Sequence, residues 1–304
     1  MAQFINCTSV SPTCPISATA YGYAPTLAPN AALLTVFILV ALSQIYLLTR
    51  YRLYSYSLVI IAGSVIEAVG YIGKLLLHDN AWSEKGLRIQ IICLIVAPSL
   101  LAAAIYLTLK HLVLHFGSRY SRLAPKWYTW IFIGCDCISI VVQALGGAVA
   151  VRHDKEQAEK GNKIMIAGIA FQVITMIICG GLAGEFMWRL RRATRTGAGA
   201  EGGGRTSSKA MLFFGAIVVG YVTILVRCIY RLPEMAGGWG GELMRNEAEF
   251  LVLDGLMVVV AAVAFTVFYP GIFFPEMRQN KPKGSRSSAG HDRVVSGTDK
   301  IPLR

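Results

Sequence analysis

Charge is what this sequence has least of. Only 15% of its 304 residues are charged, 55% are hydrophobic, and mean hydropathy is +0.54. A soluble domain carries roughly 25% charged residues. The deficit is uneven, falling in long blocks with the charge gathered between them. That excludes two soluble domains and describes a chain whose solvent is partly hydrocarbon. Alternation of apolar and polar residues at period two is also absent, which excludes a transmembrane β-barrel. There is no GxxxxGK pattern, so no phosphate-cradling loop and no ATP site is expected. The five His are scattered: His78 and His153 on one expected side of the membrane, His111 and His115 on the other, His291 near the end. They cannot converge with carboxylates on a zinc ion, so neither a metal-dependent enzyme nor any cofactor is assigned. Residues 1–28 contain no Lys or Arg and so lack the charged region that begins a signal peptide.

What is present is a set of seven apolar blocks, at 29–49, 55–77, 89–112, 127–150, 163–188, 210–230 and 250–274. Each is near the length of about 20 residues that spans hydrocarbon as a helix. The expected fold class is all-α: a polytopic membrane protein built as a seven-transmembrane-helix bundle. Pro98 and Pro270 fall inside blocks, which membrane spans tolerate better than soluble helices do.

Alternate connections differ in basic residues. Those at 50–52, 110–126, 189–209 and beyond 274 hold 19 of the 29 Lys and Arg. The asymmetry predicts these segments in the cytoplasm and the N-terminus outside. The expected organisation is an extracytoplasmic segment 1–28, a membrane domain 29–275, and a basic cytoplasmic tail 276–304 without fixed structure. Asn6-Cys7-Thr8 matches a glycosylation acceptor and faces the lumen in this arrangement. Cys7 and Cys14 lie on the oxidising side, where a disulfide or two free thiols are both open. Cys93, Cys135, Cys137, Cys179 and Cys228 read as small apolar packers. Ala193–Ser208, with five Gly, reads as a flexible linker. Arg278, Lys281, Lys283 and Arg286 in the tail suit anionic lipid, or a solvated stop-transfer cluster equally well. Nothing suggests nucleic acid as a partner.

The informative residues are the polar ones inside apolar blocks, because charge there is expensive and faces a bundle interior or a water-filled cavity. The second block places Glu67, Tyr71 and Lys74 on one helix face, at offsets of four and seven. The fourth block places Asp136, Ser139 and Gln143 together, and the fifth adds Gln172. A rise of about 1.5 Å per residue puts Glu67 and Asp136 near mid-membrane. Arg227, Tyr230, Arg231 and Glu234 follow at steps of three and four near the end of the sixth block, and Glu247 and Asp254 open the seventh. Two readings stay open for this outer group. It is either an interhelical salt-bridge lattice that locks the bundle, or the lining of a ligand cavity, which needs the same pairings when empty.

In this order the residues carry a resemblance. Glu67-x-x-Gly70-Tyr71, Ala97-Pro98 followed by Tyr106, Asp136-x-x-Ser139-x-x-x-Gln143 and Gly168-x-x-x-Gln172 come first. Arg227-x-x-Tyr230-Arg231-x-x-Glu234 with Gly237, Asn246-Glu247, Asp254 and Pro270-Gly271 complete the set. The chain resembles the fungal lipid-translocating exporters, the RTA-like seven-span proteins, from about 30 to 275. Two positions depart: Lys74 stands where the pattern has Arg, and Tyr269 where a His often precedes Pro-Gly. The resemblance implies a protein that moves, or confers resistance to, amphiphiles such as sphingoid long-chain bases and toxic aminosterols. Its partners would be membrane lipids or amphiphilic small molecules, and its location the plasma membrane or another endomembrane. Related members also imply porphyrin traffic. A seven-span lipid-sensing receptor is the competing class. A retinal pigment is disfavoured, since the seventh block has no Lys for a Schiff base.

Overall fold

The computed structural model describes residues 7, 9–19, 21–116, 122, 124–150, 155–195, 208–237 and 241–273. Asn6, the glycine-rich run 196–207 and the basic tail beyond 273 lie outside these residues, as do the side chain of His115 and all of His153 and His291.

Each apolar block becomes a helix, because only helices satisfy backbone groups internally within hydrocarbon. We number them α1 (Leu27–Tyr51), α2 (Tyr54–Asp79), α3 (Glu84–Phe116), α4 (Pro125–Ala150), α5 (Lys155–Arg195) and α6 (Ser208–Ala236). The seventh span, Glu247–Phe273, is α7. All seven are long and apolar enough to cross a membrane. A short helix, Glu242–Arg245, precedes α7. No β-strand occurs among the described residues, only a lone antiparallel bridge between Ser11 and Cys14.

Helix ends follow local chemistry. α1 stops where Arg52 turns left-handed (φ 60°) and its N–H closes on the Leu48 carbonyl, letting α2 begin two residues later. α6 runs past the expected limit at 230 to Ala236, through Pro233, so Arg231 and Glu234 are helical residues. The last span contains Pro270, as expected, but its helix is interrupted there: it stops at Val267, and Pro270 opens a further turn, Pro270–Phe273. Proline suits a first helical position, where its missing N–H has no partner to lose.

Sequential helices pack against their neighbours, and α1 meets α7 to close the ring. α3 sits centrally, touching α2, α4, α6 and α7. Gly161 makes the α4–α5 contact possible: a Cβ there would fall on the Ala150 nitrogen and the Gly146 carbonyl. Small residues permit this backbone approach, the usual way membrane helices gain packing energy. Outward faces are apolar and exposed, with Leu39 and Leu42 on α1, Ile138, Val141 and Leu145 on α4, and Ile174, Ile177 and Ile178 on α5. Trp127, Trp130 and Trp188 are exposed at the end of the bundle opposite the N-terminus, as in an interfacial aromatic belt.

The N-terminal segment packs across the other end. Cys7 and Cys14 form a disulfide, which decides between the two states left open by the sequence. The Trp82 indole N–H, between α2 and α3, donates to the Cys14 carbonyl (3.2 Å). His78 Nδ1 lies 2.7 Å from the Pro25 carbonyl.

Candidate functional site

The polar residues of the spans sort into three groups. The first joins α6 to α7 and α3. Arg227 and Arg231 share one face of α6 because they are four residues apart. Arg227 Nε lies 3.0 Å from Asp254 Oδ1, a contact of charge more than an aligned hydrogen bond, and both side chains are buried. Its Nη2 donates to the Leu94 carbonyl of α3. That oxygen needs an outside donor because Pro98, four residues on, has no N–H. Arg231 Nη1 donates to Glu234 Oε2 at 2.7 Å, also in a buried setting. Asp254 is carried on a π-helical stretch, Leu251–Leu256, whose extra residue per turn rotates it relative to a continuous α-helix.

The α2 face completes this group. Glu67, Tyr71 and Lys74 are all buried. Tyr71 stacks on Phe37 of α1, with centroids 5.7 Å apart. Its hydroxyl presses on Gly255, where a Cβ would come within 2.8 Å. Lys74 Nζ sits 3.3 Å above the Phe250 ring centroid, a cation–π contact, and makes no hydrogen bond among the described residues. Glu67 feels Arg227, Asp254 and Arg231 electrostatically, yet its Oε1 makes no hydrogen bond among the described residues. Tyr230 is buried beside Glu234 with its hydroxyl unpartnered among the described residues.

The second group links α3, α4 and α5 without formal charge. Gln172 Nε2 donates to Ser99 Oγ (2.7 Å), and Gln143 Nε2 donates to Gln172 Oε1 (3.0 Å) and Ser139 Oγ (2.9 Å). Ser139 Oγ donates to the Gly168 carbonyl (2.6 Å). Buried polar side chains paired in this way hold helices in register. The third group is Asp136 on α4, placed apart from both and facing Tyr106 of α3.

Glu247 does not join the charge lattice the spacing suggested. Its Oε1 accepts from the Thr26 N–H (2.8 Å), the Thr26 hydroxyl (3.0 Å) and Asn30 Nδ2 (3.1 Å), at the start of α1. A carboxylate is favoured there, where the first N–H groups of a helix lack internal partners.

Sequence reasoning missed the closure of this end. Tyr21 is buried, and its hydroxyl accepts from Gln90 Nε2 of α3 at 2.8 Å. Burial, then the Glu234 charge, push its phenol well above the ordinary range, so it stays neutral. A cavity of about 10 Å³, little more than one water, remains between Tyr21, Gln90, Leu94, Arg231, Met235 and Met244. A second cavity of about 110 Å³ lies at the opposite end, between Leu53, Tyr54, Tyr56, Thr108, His111 and Pro270. Ligand pockets for drug-sized molecules run roughly 300–1,000 Å³. Both of these cavities are smaller than such a ligand, and beside the first the charged groups pair with one another. The only sequence-level hint was Tyr21-Gly22-Tyr23, set in a stretch without charge that runs to Arg50. The demand for a donor at Leu94 was legible from Pro98, although its source was not. Among the described residues no group of His, Cys, Asp and Glu could hold a metal ion.

The family described as RTA1 like protein matches residues 60–277. Over 287 aligned residues the chain is 33% identical to the sphingoid long-chain base transporter RSB1 of Saccharomyces cerevisiae, covering 83% of this chain and 74% of that protein. It is 29% identical to protoporphyrin uptake protein 1 of the same yeast over 216 residues, 69% of this chain and 68% of the relative. Protein RTM1 of Saccharomyces cerevisiae matches at 28% identity, over 69% of this chain and 67% of its own length. No solved structure matches. With its seven helices, its interhelical charge lattice and a family match across most of the membrane region, this chain belongs to the RTA1-like family.

Proposed function

We propose that the chain moves amine-bearing amphiphiles of the sphingoid long-chain base type between membrane leaflets, with its N-terminus outside and its tail in the cytoplasm of the plasma membrane. The observation that carries this reading is Glu67, a buried carboxylate at mid-span whose Oε1 has no hydrogen-bond partner among the described residues. A lipid ammonium meets that oxygen with opposite charge while its chain stays among apolar side chains, so neither end of the ligand is mismatched. The 33% identity to a sphingoid long-chain base transporter supports the same substrate class. Toxic aminosterols share the chemistry of a cation on an apolar body, and resistance follows from moving them. The described conformation is the occluded one, and passage requires Tyr21 and the N-terminal segment to leave the bundle end.

A second reading rests on Lys74, a buried cation with no hydrogen bond among the described residues. It suits the carboxylate of an anionic amphiphile, such as the porphyrin named for one relative.

The test is leaflet exchange of a labelled long-chain base in vesicles holding purified protein. Wild type should exchange faster than empty vesicles, and Glu67→Gln should slow exchange without loss of folding. Faster exchange of a porphyrin, lost in Lys74→Met, selects the second reading. Saturable binding with no exchange of either probe points to a receptor instead.

A further inference from the structure

Asp136 lies at the centre of α4 and takes no part in the charge lattice. It is 3% exposed, and apart from the Tyr106 hydroxyl that faces it neither carboxylate oxygen has a hydrogen-bond partner among the described residues. No Lys, Arg or His forms an ion pair with it among those residues, whereas Arg227 pairs with Asp254 and Arg231 with Glu234. The groups facing it are known from each neighbouring helix. α3 contributes Tyr106, fully buried, whose hydroxyl faces this carboxylate and is otherwise unpartnered among the described residues. α5 contributes Cys179, and α6 contributes Cys228, beyond which Arg227 is already committed to Asp254. On α4 itself the adjoining turn carries Ser139, whose hydroxyl donates to the Gly168 carbonyl.

A lone carboxylate in such surroundings is costly unless something positive meets it. A sodium or other hard metal ion needs a shell of oxygen ligands. The groups facing Asp136 are one phenol and two thiols, and sulfur is a poor ligand for hard cations. A lipid ammonium brings three N–H donors that each need an acceptor, and the neighbouring Ser99, Gln172, Gln143 and Ser139 already hydrogen-bond among themselves and to the Gly168 carbonyl. The proton is the one cation that needs no further ligand.

We propose that Asp136 and Tyr106 form a proton-binding site, separate from the Glu67 lattice, whose occupancy drives or gates passage of the amphiphile. The bond involved is the carboxyl O–H of Asp136: it breaks to give a carboxylate and a proton released to solvent as the bundle opens, and reforms on closure. Tyr106 donates its hydroxyl to the carboxylate while the proton is away. Coupling rests on the transport reading above; the proton site itself does not.

Two measurements on the full-length protein keep these apart. Infrared difference spectra of detergent-purified wild type should show a protonated carboxylic acid band that disappears as pH is raised. That band should be missing in Asp136→Asn, and Tyr106→Phe should move the pH of its disappearance while the protein still elutes as a folded species. In vesicles, exchange of a labelled long-chain base should respond to an imposed pH gradient in wild type, and Asp136→Asn should lose that response while retaining exchange without a gradient. A band unchanged in Asp136→Asn overturns the proton site. A gradient response that survives in Asp136→Asn, or one replaced by dependence on sodium, overturns the coupling. Absence of exchange from wild type under every condition removes the transport reading and the coupling with it, while the infrared band still decides the site.

Discussion

The Arg227 guanidinium of α6 donates to the Leu94 carbonyl of α3, the oxygen that Pro98 leaves without its helical donor. One side chain thereby repairs a backbone defect in a neighbouring helix and, through Nε, neutralises Asp254 of α7. Three helices meet at one residue. In hydrocarbon, where no water substitutes for a missing partner, such a junction is worth more than its single contacts suggest.

Arg227→Met should therefore be strongly destabilising, by roughly 3–5 kcal/mol, since it leaves a buried carboxylate without its counter-charge. Adding Asp254→Leu should recover a large part of that loss. Adding Pro98→Ala should recover a further part by restoring the N–H that Leu94 lacks. Thermal unfolding in detergent of the single, double and triple variants checks this; independent, additive losses would show that the three residues are not one unit.

Glu247 holds the start of α1 through three hydrogen bonds from Thr26 and Asn30. Glu247→Ala should loosen the N-terminal segment by about 1–2 kcal/mol, the low end for bonds to a charged group because the site is only half-buried. Faster hydrogen exchange across residues 9–26, with the rest of the bundle unchanged, is the expected result. Unchanged exchange there would mean that the disulfide and Tyr21 hold the segment without Glu247.

The α4–α5 contact should be intolerant of even one methyl group at Gly161. Its Cβ has only the backbone of Gly146 and Ala150 to meet, and backbone cannot rotate aside. Gly161→Ala should cost about 1–3 kcal/mol and lower the yield of monodisperse protein, whereas Gly181→Ala, with open space around it, should be silent. Size-exclusion profiles of the two variants give the comparison.

The distribution of Lys and Arg predicts an orientation that is open to direct test. Engineered glycosylation sites or protease protection should place 1–28 and 151–162 outside, and 190–209 and the tail inside. A lumenal tail would require an even number of spans and contradict the hydropathy reading.

Helical periodicity is local, so the sequence alone determined which residues share a face. Seven blocks of spanning length, the Glu67–Tyr71–Lys74 stripe and the Arg227–Arg231–Glu234 stripe were legible because spacing within one helix needs no knowledge of the others. Partnership across helices was not legible. Arg227 and Arg231 look equivalent in the sequence, yet one bridges to Asp254 and Leu94 while the other stays on its own helix with Glu234. Glu247 and Asp254 look like one acidic pair, yet a π-helical stretch begins between them and they serve opposite neighbours. Asp136 and Glu67 read as two mid-membrane carboxylates, and only the packing of α3 to α6 leaves Asp136 with a phenol and two thiols while Glu67 lies among arginines. Rotation and register of each helix about its own axis decide these pairings. Close contacts such as Gly161 against Gly146 set that rotation, and it exists only once the bundle has assembled.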